Sequence, residues 1–208
     1  KVDYLDRLTL TQLPALAADP GTKGLLIQKP LMEVYWLGFN LHQQPFANNY
    51  LLRRAFNYAI DRQNIIDEVL GGSGIPLKGV LPEGFPGFHE ELRGYSYDPE
   101  KAKSLLEQAG YPGGKGLPII TLYYNNDPGH RLVAEKIVQQ LGQIGVNAKC
   151  EAVDWDYFKK QLNAFNFSFF RLEWRPDFSD AESVLYSLYH SSRVGVSNFT
   201  KYSNPQVD

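Results

Sequence analysis

Two groups of residues in this 208-residue chain have types and spacing suited to chemistry. The first is Trp174-Arg175-Pro176-Asp177-Phe178-Ser179-Asp180. It follows an aromatic run, Phe165 to Phe170, and precedes a helical pattern at Ala181–Tyr189. A strand ending at Trp174 and a turn forced by Pro176 set two carboxylates just before a helix. An aspartate at such a junction has two roles open to it. It can cap the helix or close an Asx turn, or it can point outward and hold a cation. Asp180 and Ser179 suffice for the cap, which leaves Asp177 beside Trp174 and Phe178. An ammonium group there gains from the carboxylate charge and from the aromatic faces. The second group is His130-Arg131, at the expected start of a helix. The free N–H groups and partial positive charge of a first turn suit a carboxylate. The alternative is an ordinary exposed first turn.

Other chemistry finds little support. His42, His89, His130 and His190 lack metal-ligand spacing, and no His-Glu-x-x-His pattern occurs. Gly71-Gly72-Ser73-Gly74 follows a helical pattern and lacks the lysine of a phosphate loop. No Gly-x-Ser-x-Gly elbow supplies a nucleophile. Cys150 is the single cysteine, so an internal disulfide and a cysteine-based zinc site are both excluded. It falls in an expected strand and reads as a buried, inert thiol. The competing functional reading is an α/β enzyme that uses Asp177 and His130 as an acid and base pair. It has no nucleophile or metal motif behind it. No cofactor is implied.

The elements that must position these residues follow from periodicity and turn signals. A short helix is expected at Thr11–Ala18, a turn at Asp19-Pro20-Gly21 and a strand at Gly24–Gln28. Glu33–Asn40 reads as a strong strand. Helices follow at Asn48–Ile60 and, after an Asp61 cap, at Arg62–Leu70. Ser73 to Tyr97 is a long loop rich in Gly and Pro, of the kind that is often functional. Asp98-Pro99 starts a helix that ends near Gly110. Then come a strand at Pro118–Tyr124, a helix at His130–Ile144, a strand at Val146–Val153, a helix from Asp154 through Leu162 and a strand at Phe167–Trp174. This β-α-β-α-β order implies parallel neighbours with right-handed crossovers. Ligands of such sheets favour the carboxyl ends of the strands. Tyr124 to Asp127 and Glu173 to Asp177 lie at such ends, which brings His130, Arg131 and Asp177 into one neighbourhood.

Composition sets outer limits. Hydrophobic residues make up 43% and charged residues 21%, ordinary values for a soluble globular protein. A formal net charge of -2 provides no basic field for nucleic acid phosphates. No apolar run approaches the ~20 residues of a membrane helix. Lys1-Val2-Asp3-Tyr4 and Asn204-Pro205-Gln206-Val207-Asp208 both read as interior sequence. The expectation is therefore a fragment, in which a missing leader carries no weight.

Several segments in order resemble the family 5 extracellular solute-binding proteins, the receptors of dipeptide, oligopeptide and nickel ABC importers. They are Glu33–Asn40, Pro45-Phe46, Leu52–Arg62, Tyr97–Lys103 with Leu105-Leu106 and Ala109-Gly110-Tyr111, Gln143–Val146, Trp174–Asp180, and Tyr202-Ser203-Asn204-Pro205. The resemblance implies an α/β, type II periplasmic-binding-protein-like C-terminal lobe, with a mixed sheet flanked by helices and a βαβαβ core. Residues 1–34 would end a first lobe and lead to the hinge, and residues 35–208 would form the ligand-binding lobe. The implied function is non-catalytic capture of an extracytoplasmic solute, above all a di- or oligopeptide. Oligosaccharides and nickel complexes are carried by relatives. The implied partners are a membrane permease and the remaining lobe of the same protein. A sensor that docks another receptor is a further reading. In peptide-binding members the aspartate matching Asp177 holds the α-ammonium, Trp174 and Phe178 would wall the pocket, and a basic residue near His130 or Arg131 reaches the carboxylate. Arg175-Pro176 stands where relatives often carry small residues, and Ala181 where proline is common. Arg175 is placed to neutralise Asp177 from within the chain.

Overall fold

The computed structural model describes residues 12–27 and 32–208, and its centre is a four-stranded sheet. Strands β1 (Val34–Phe39), β2 (Ile120–Asn125), β3 (Ala148–Val153) and β4 (Phe169–Trp174) lie in the order β1-β4-β2-β3. β2 runs parallel to both β3 and β4, as the intervening helices require, whereas β1 closes the sheet antiparallel to β4. The sheet is therefore mixed.

Helices α1 (Leu13–Ala18) and α2 (Pro20–Lys23) precede β1. The turn expected at Asp19-Pro20-Gly21 is the first turn of α2, with the Asp19 carboxylate accepting from the Gly21 N–H at 2.9 Å. The strand expected at Gly24–Gln28 does not form over 24–27. Those residues are turn and irregular backbone, and Leu25 and Ile27 are exposed. An apolar stretch becomes a strand only when another strand takes its backbone groups, and no described strand lies against this one. Thr11 and Gln28 lie outside the described residues.

Helix boundaries elsewhere follow the caps. Asn49, Asp61, Asp98 and Asp154 each accept a first-turn N–H, at the starts of α3 (Tyr50–Ala59), α4 (Arg62–Glu68), α5 (Pro99–Gln108) and α7 (Trp155–Asn163). α6 is longer than the expected His130–Ile144. It spans Pro128–Gln143, because Asp127 caps it and Pro128 takes the first helical position, where a missing N–H costs nothing. α8 is Ala181–Tyr189, as expected.

The sheet buries both faces. On one, α3 to α6 cover Ile120, Leu122, Tyr124 and Phe169. Phe39 stacks on Phe169 at 5.0 Å, and Phe46 meets Phe56 edge-on at 5.4 Å. Each of the fully buried rings Phe46, Phe56 and Phe169 contributes about 1.5–3 kcal/mol through removal from water. On the other face, Phe158 and Leu162 of α7 pack with Phe167, Phe170 and Leu172. Phe170 crosses directly over Gly38, where an added Cβ would stand 2.4 Å from its ring. A third cluster joins Leu81 and Phe85 of the long loop to Val184 and Leu188 of α8. β3 is an edge strand, so Cys150 is half-buried there rather than enclosed as expected. Burial still pushes its thiol above the ordinary value. No described helix is long and apolar enough to cross a membrane.

Candidate ligand-binding site

The pleat decides which strand residues can meet at the carboxyl end of the sheet. Side chains two apart share a face, and directly paired residues in antiparallel strands face the same way. Phe169, Arg171 and Glu173 of β4 therefore share a face with Phe39, Leu37 and Tyr35 of β1, their register partners. The line begins in the aromatic core at Phe39 and Phe169 and becomes polar toward the β4 terminus. α6 covers this face, and its first turn brings His130 to the polar end, 5.9 Å from the Tyr35 ring at the centroids.

Arg171 is the centre of this cluster. It is only 2% exposed, which is unusual for a guanidinium. Its Nη1 donates to Asn125 Oδ1 at 3.1 Å, and its Nη2 pairs with the Glu173 carboxylate. Its guanidinium carbon lies 4.1 Å from the centre of the Tyr35 ring, a cation–π stack. Among the described residues the Nε–H has no partner although it is buried. A buried donor left open in this way is costly, and a ligand oxygen is one way to satisfy it. Asn125 closes β2 and Glu173 sits near the close of β4, so both partners come from strand ends.

His130 is mostly enclosed, with its side chain 19% exposed and Nδ1 3.9 Å from Asp127 Oδ1. Burial lowers its pKa from the ordinary 6.5, and the Arg171 charge lowers it further. Asp127 and Glu173 act in the opposite direction without overcoming this. The imidazole is therefore neutral at pH 7. The backbone N–H of His130 is already used, since Asp127 Oδ1 accepts from Gly129 at 2.8 Å and from His130 at 3.2 Å. Arg131 is one residue further round the helix. Its side chain is 68% exposed and its Nε donates to Glu135 Oε1 at 2.7 Å. It follows that the structure joins His130 to the buried cluster and leaves Arg131 on the outer helix surface.

The loop after β4 is different in kind. Asp177 and Phe178 are exposed. The cap of α8 is made by Asp180, which accepts from Glu182 N–H at 2.8 Å. Ser183 Oγ donates to the carbonyls of Asp180 and Phe178, and Ser179 Oγ touches Met32 Sδ. Among the described residues Asp177 makes neither a hydrogen bond nor an ion pair, and Arg175 does not pair with it. Trp174 is half-buried and its indole N–H donates to the Ser183 carbonyl at 3.0 Å, which pins β4 to α8. The structure thus unites Tyr35, Asn125, Asp127, His130, Arg171 and Glu173, with Trp174 and Asp177 following on the same chain end. Arg171 escaped the sequence reading, although an arginine two residues before a glutamate on one face of an aromatic-rich strand was the available signal.

A model of the bacterial extracellular solute-binding proteins, family 5 middle region, matches residues 1–195. The chain belongs to this family. It is 31% identical to heme-binding protein A of Haemophilus influenzae over 96% of its own length and 36% of that protein. It is 30% identical to the oligopeptide-binding protein OppA of Bacillus subtilis over 97% of its length and 37% of the relative. Among solved structures, the murein tripeptide-binding protein MppA of Escherichia coli superposes with a TM-score of 0.82 at 26% identity, covering 94% of this chain and 38% of that one. The periplasmic binding protein DppA of Helicobacter pylori, in complex with the peptide STSA, gives 0.78 at 25% identity, covering 95% of this chain and 38% of its own. The family 5 chain described here thus spans just over a third of the relatives it matches. The fold expectation, an α/β mixed sheet of periplasmic-binding-protein type, agrees with these structures.

Proposed function

We propose that this family 5 chain supplies one wall of the binding cleft in the receptor of an ABC importer, and that its ligand is a short peptide. The observation that carries the reading is an exposed carboxylate and a buried cation near one end of the sheet. Asp177 is an exposed carboxylate that has no partner among the described residues. Arg171 is a buried cation with an open Nε–H. A peptide with free termini complements both, its ammonium at Asp177 and its carboxylate toward Arg171 and His130. Phe178, 63% exposed, flanks the first contact, with Trp174 at the strand end behind it. The oligopeptide-, tripeptide- and dipeptide-binding names of the relatives support this ligand class. Residues 35–208 form the ligand-binding lobe in this reading, and residues 1–34 lead to it from a first lobe. The receptor acts outside the cytoplasm, performs no chemistry on its ligand and delivers it to a membrane permease.

The heme-binding relative gives the competing ligand, since porphyrin carboxylates would meet the same cation. Calorimetry on the intact protein separates the two. A tripeptide should bind, its N-acetylated and C-amidated forms should each bind at least tenfold more weakly, and hemin should not displace it. Equal affinity for all three peptide forms, or binding of hemin alone, overturns the peptide assignment.

A further inference from the structure

We propose that ligand capture is coupled to proton uptake on His130, so that a ligand carboxylate binds more tightly as the pH falls. This rests on the peptide reading above and adds a regulatory property to the same site.

The geometry supplies the coupling. The His130 ring is packed on Tyr35 at 5.9 Å and is largely closed off from water. The charged groups that face it come from two directions. Arg171 and Glu173 project from β4, and Asp127 lies across the α6 start with its Oδ1 3.9 Å from Nδ1. Tyr35 of β1, pushed up to about 12 by desolvation, contributes no charge. With a neutral imidazole these groups sum to one positive and two negative charges. Arg171 is already committed to Glu173, and the Asp127 carboxylate faces the ring, so an entering carboxylate meets a negative balance. Protonation of His130 brings that balance to zero. It also adds a second charged donor on a ring that packs against Tyr35, the same side chain on which Arg171 stacks.

The sign follows from linkage. In the free protein, burial and Arg171 hold His130 below its ordinary 6.5. A bound carboxylate favours the imidazolium and moves the same group up. Between the two values the complex holds a proton that the free protein lacks. Affinity therefore rises as pH falls through that window, by up to about tenfold per pH unit for one coupled proton. An amidated ligand end brings no negative charge and should show little of this slope.

The test uses the intact protein, with a tripeptide and its C-terminal amide titrated by calorimetry between about pH 5 and pH 8. The wild type should bind the free-carboxylate peptide more tightly toward pH 5. In buffers of different ionisation enthalpy it should take up a fraction of a proton on binding. His130→Gln should flatten the slope, and His130→Asn provides a second variant should the first fail to fold. The buffer series needs no variant at all. No proton uptake by the wild type, or the same slope in wild type and His130→Gln, overturns the coupling while peptide binding stands. Failure of any peptide to bind overturns the peptide reading itself.

Discussion

Two parts of the same strand end behave in opposite ways. Arg171 is buried where β1, β2, β4 and α6 meet, with its guanidinium stacked and paired. The Asp177 loop is exposed, and no described residue holds its aspartate. The first is preformed, since its side chains are fixed by packing, and the Nε–H of Arg171 is closed off from solvent. The second offers a charge whose value depends on what closes over it. In water an exposed carboxylate pairs weakly, at about 0–1 kcal/mol. The same contact in a closed cleft is worth several times more. The strand end therefore carries one preformed cluster and one exposed charge.

The largest expected effect breaks this contrast most directly. Arg171→Ala removes a buried cation from beneath Tyr35 and strands Asn125 and Glu173. It should cost about 3 kcal/mol in urea unfolding of the chain, whereas Asp177→Ala should stay within about 0.5 kcal/mol. Near-equal losses would mean that the cluster is not the preformed part. Ligand affinity in the intact protein should rank differently. Asp177→Asn should lose ~2–5 kcal/mol for a peptide with a free ammonium. Asp180→Asn should lose a few tenths at most, because asparagine also caps. Similar small losses at both positions would reduce Asp177 to a turn residue. Arg175→Ala should change little, since Arg175 makes no pair with Asp177.

Smaller effects sharpen the comparison. Asp127→Ala frees the two N–H groups it holds at Gly129 and His130, and should cost about 1 kcal/mol of stability. The smallest effect is a pH dependence of folding. His130 titrates lower when folded than the ordinary 6.5 of an unfolded chain. Its contribution to stability is therefore complete above that value and is lost as pH falls toward the folded value. His130→Gln should make thermal unfolding less sensitive to pH between about 7 and 5. An unchanged pH profile would show that the ring is solvated.

Local signals explain most of what could be read in advance. Asp61, Asp98 and Asp154 were legible as caps because the residue before a helical pattern interacts only with its own first turn. Asp127-Pro128 carries the same signal as Asp98-Pro99, but the helix was expected two residues later, and the cap was missed with it. The placement of β1 beside β4 depends on pairing across more than a hundred residues, and no local pattern encodes a strand order. Arg171 stayed hidden for a related reason. Its surroundings come from β1, β2 and α6, so its burial exists only once those elements meet. Asp177 was legible as a candidate by elimination, since Asp180 was sufficient for the cap and does make it. Its exposure in the structure keeps the ligand role open.

The contact between Gly38 and Phe170 also constrains how such a sequence can drift. With the Cβ of any other residue 2.4 Å from that ring, position 38 cannot change alone while Phe170 stays in place. Position 170 can shrink alone, at the cost of a cavity between α7 and the sheet. Trp36 also stands 2.8 Å from that Cβ, so both rings must give way before the glycine can be replaced. Related chains should show the two positions changing together, with a larger residue at one matched by a smaller one at the other. Descendants that keep the phenylalanine should keep the glycine.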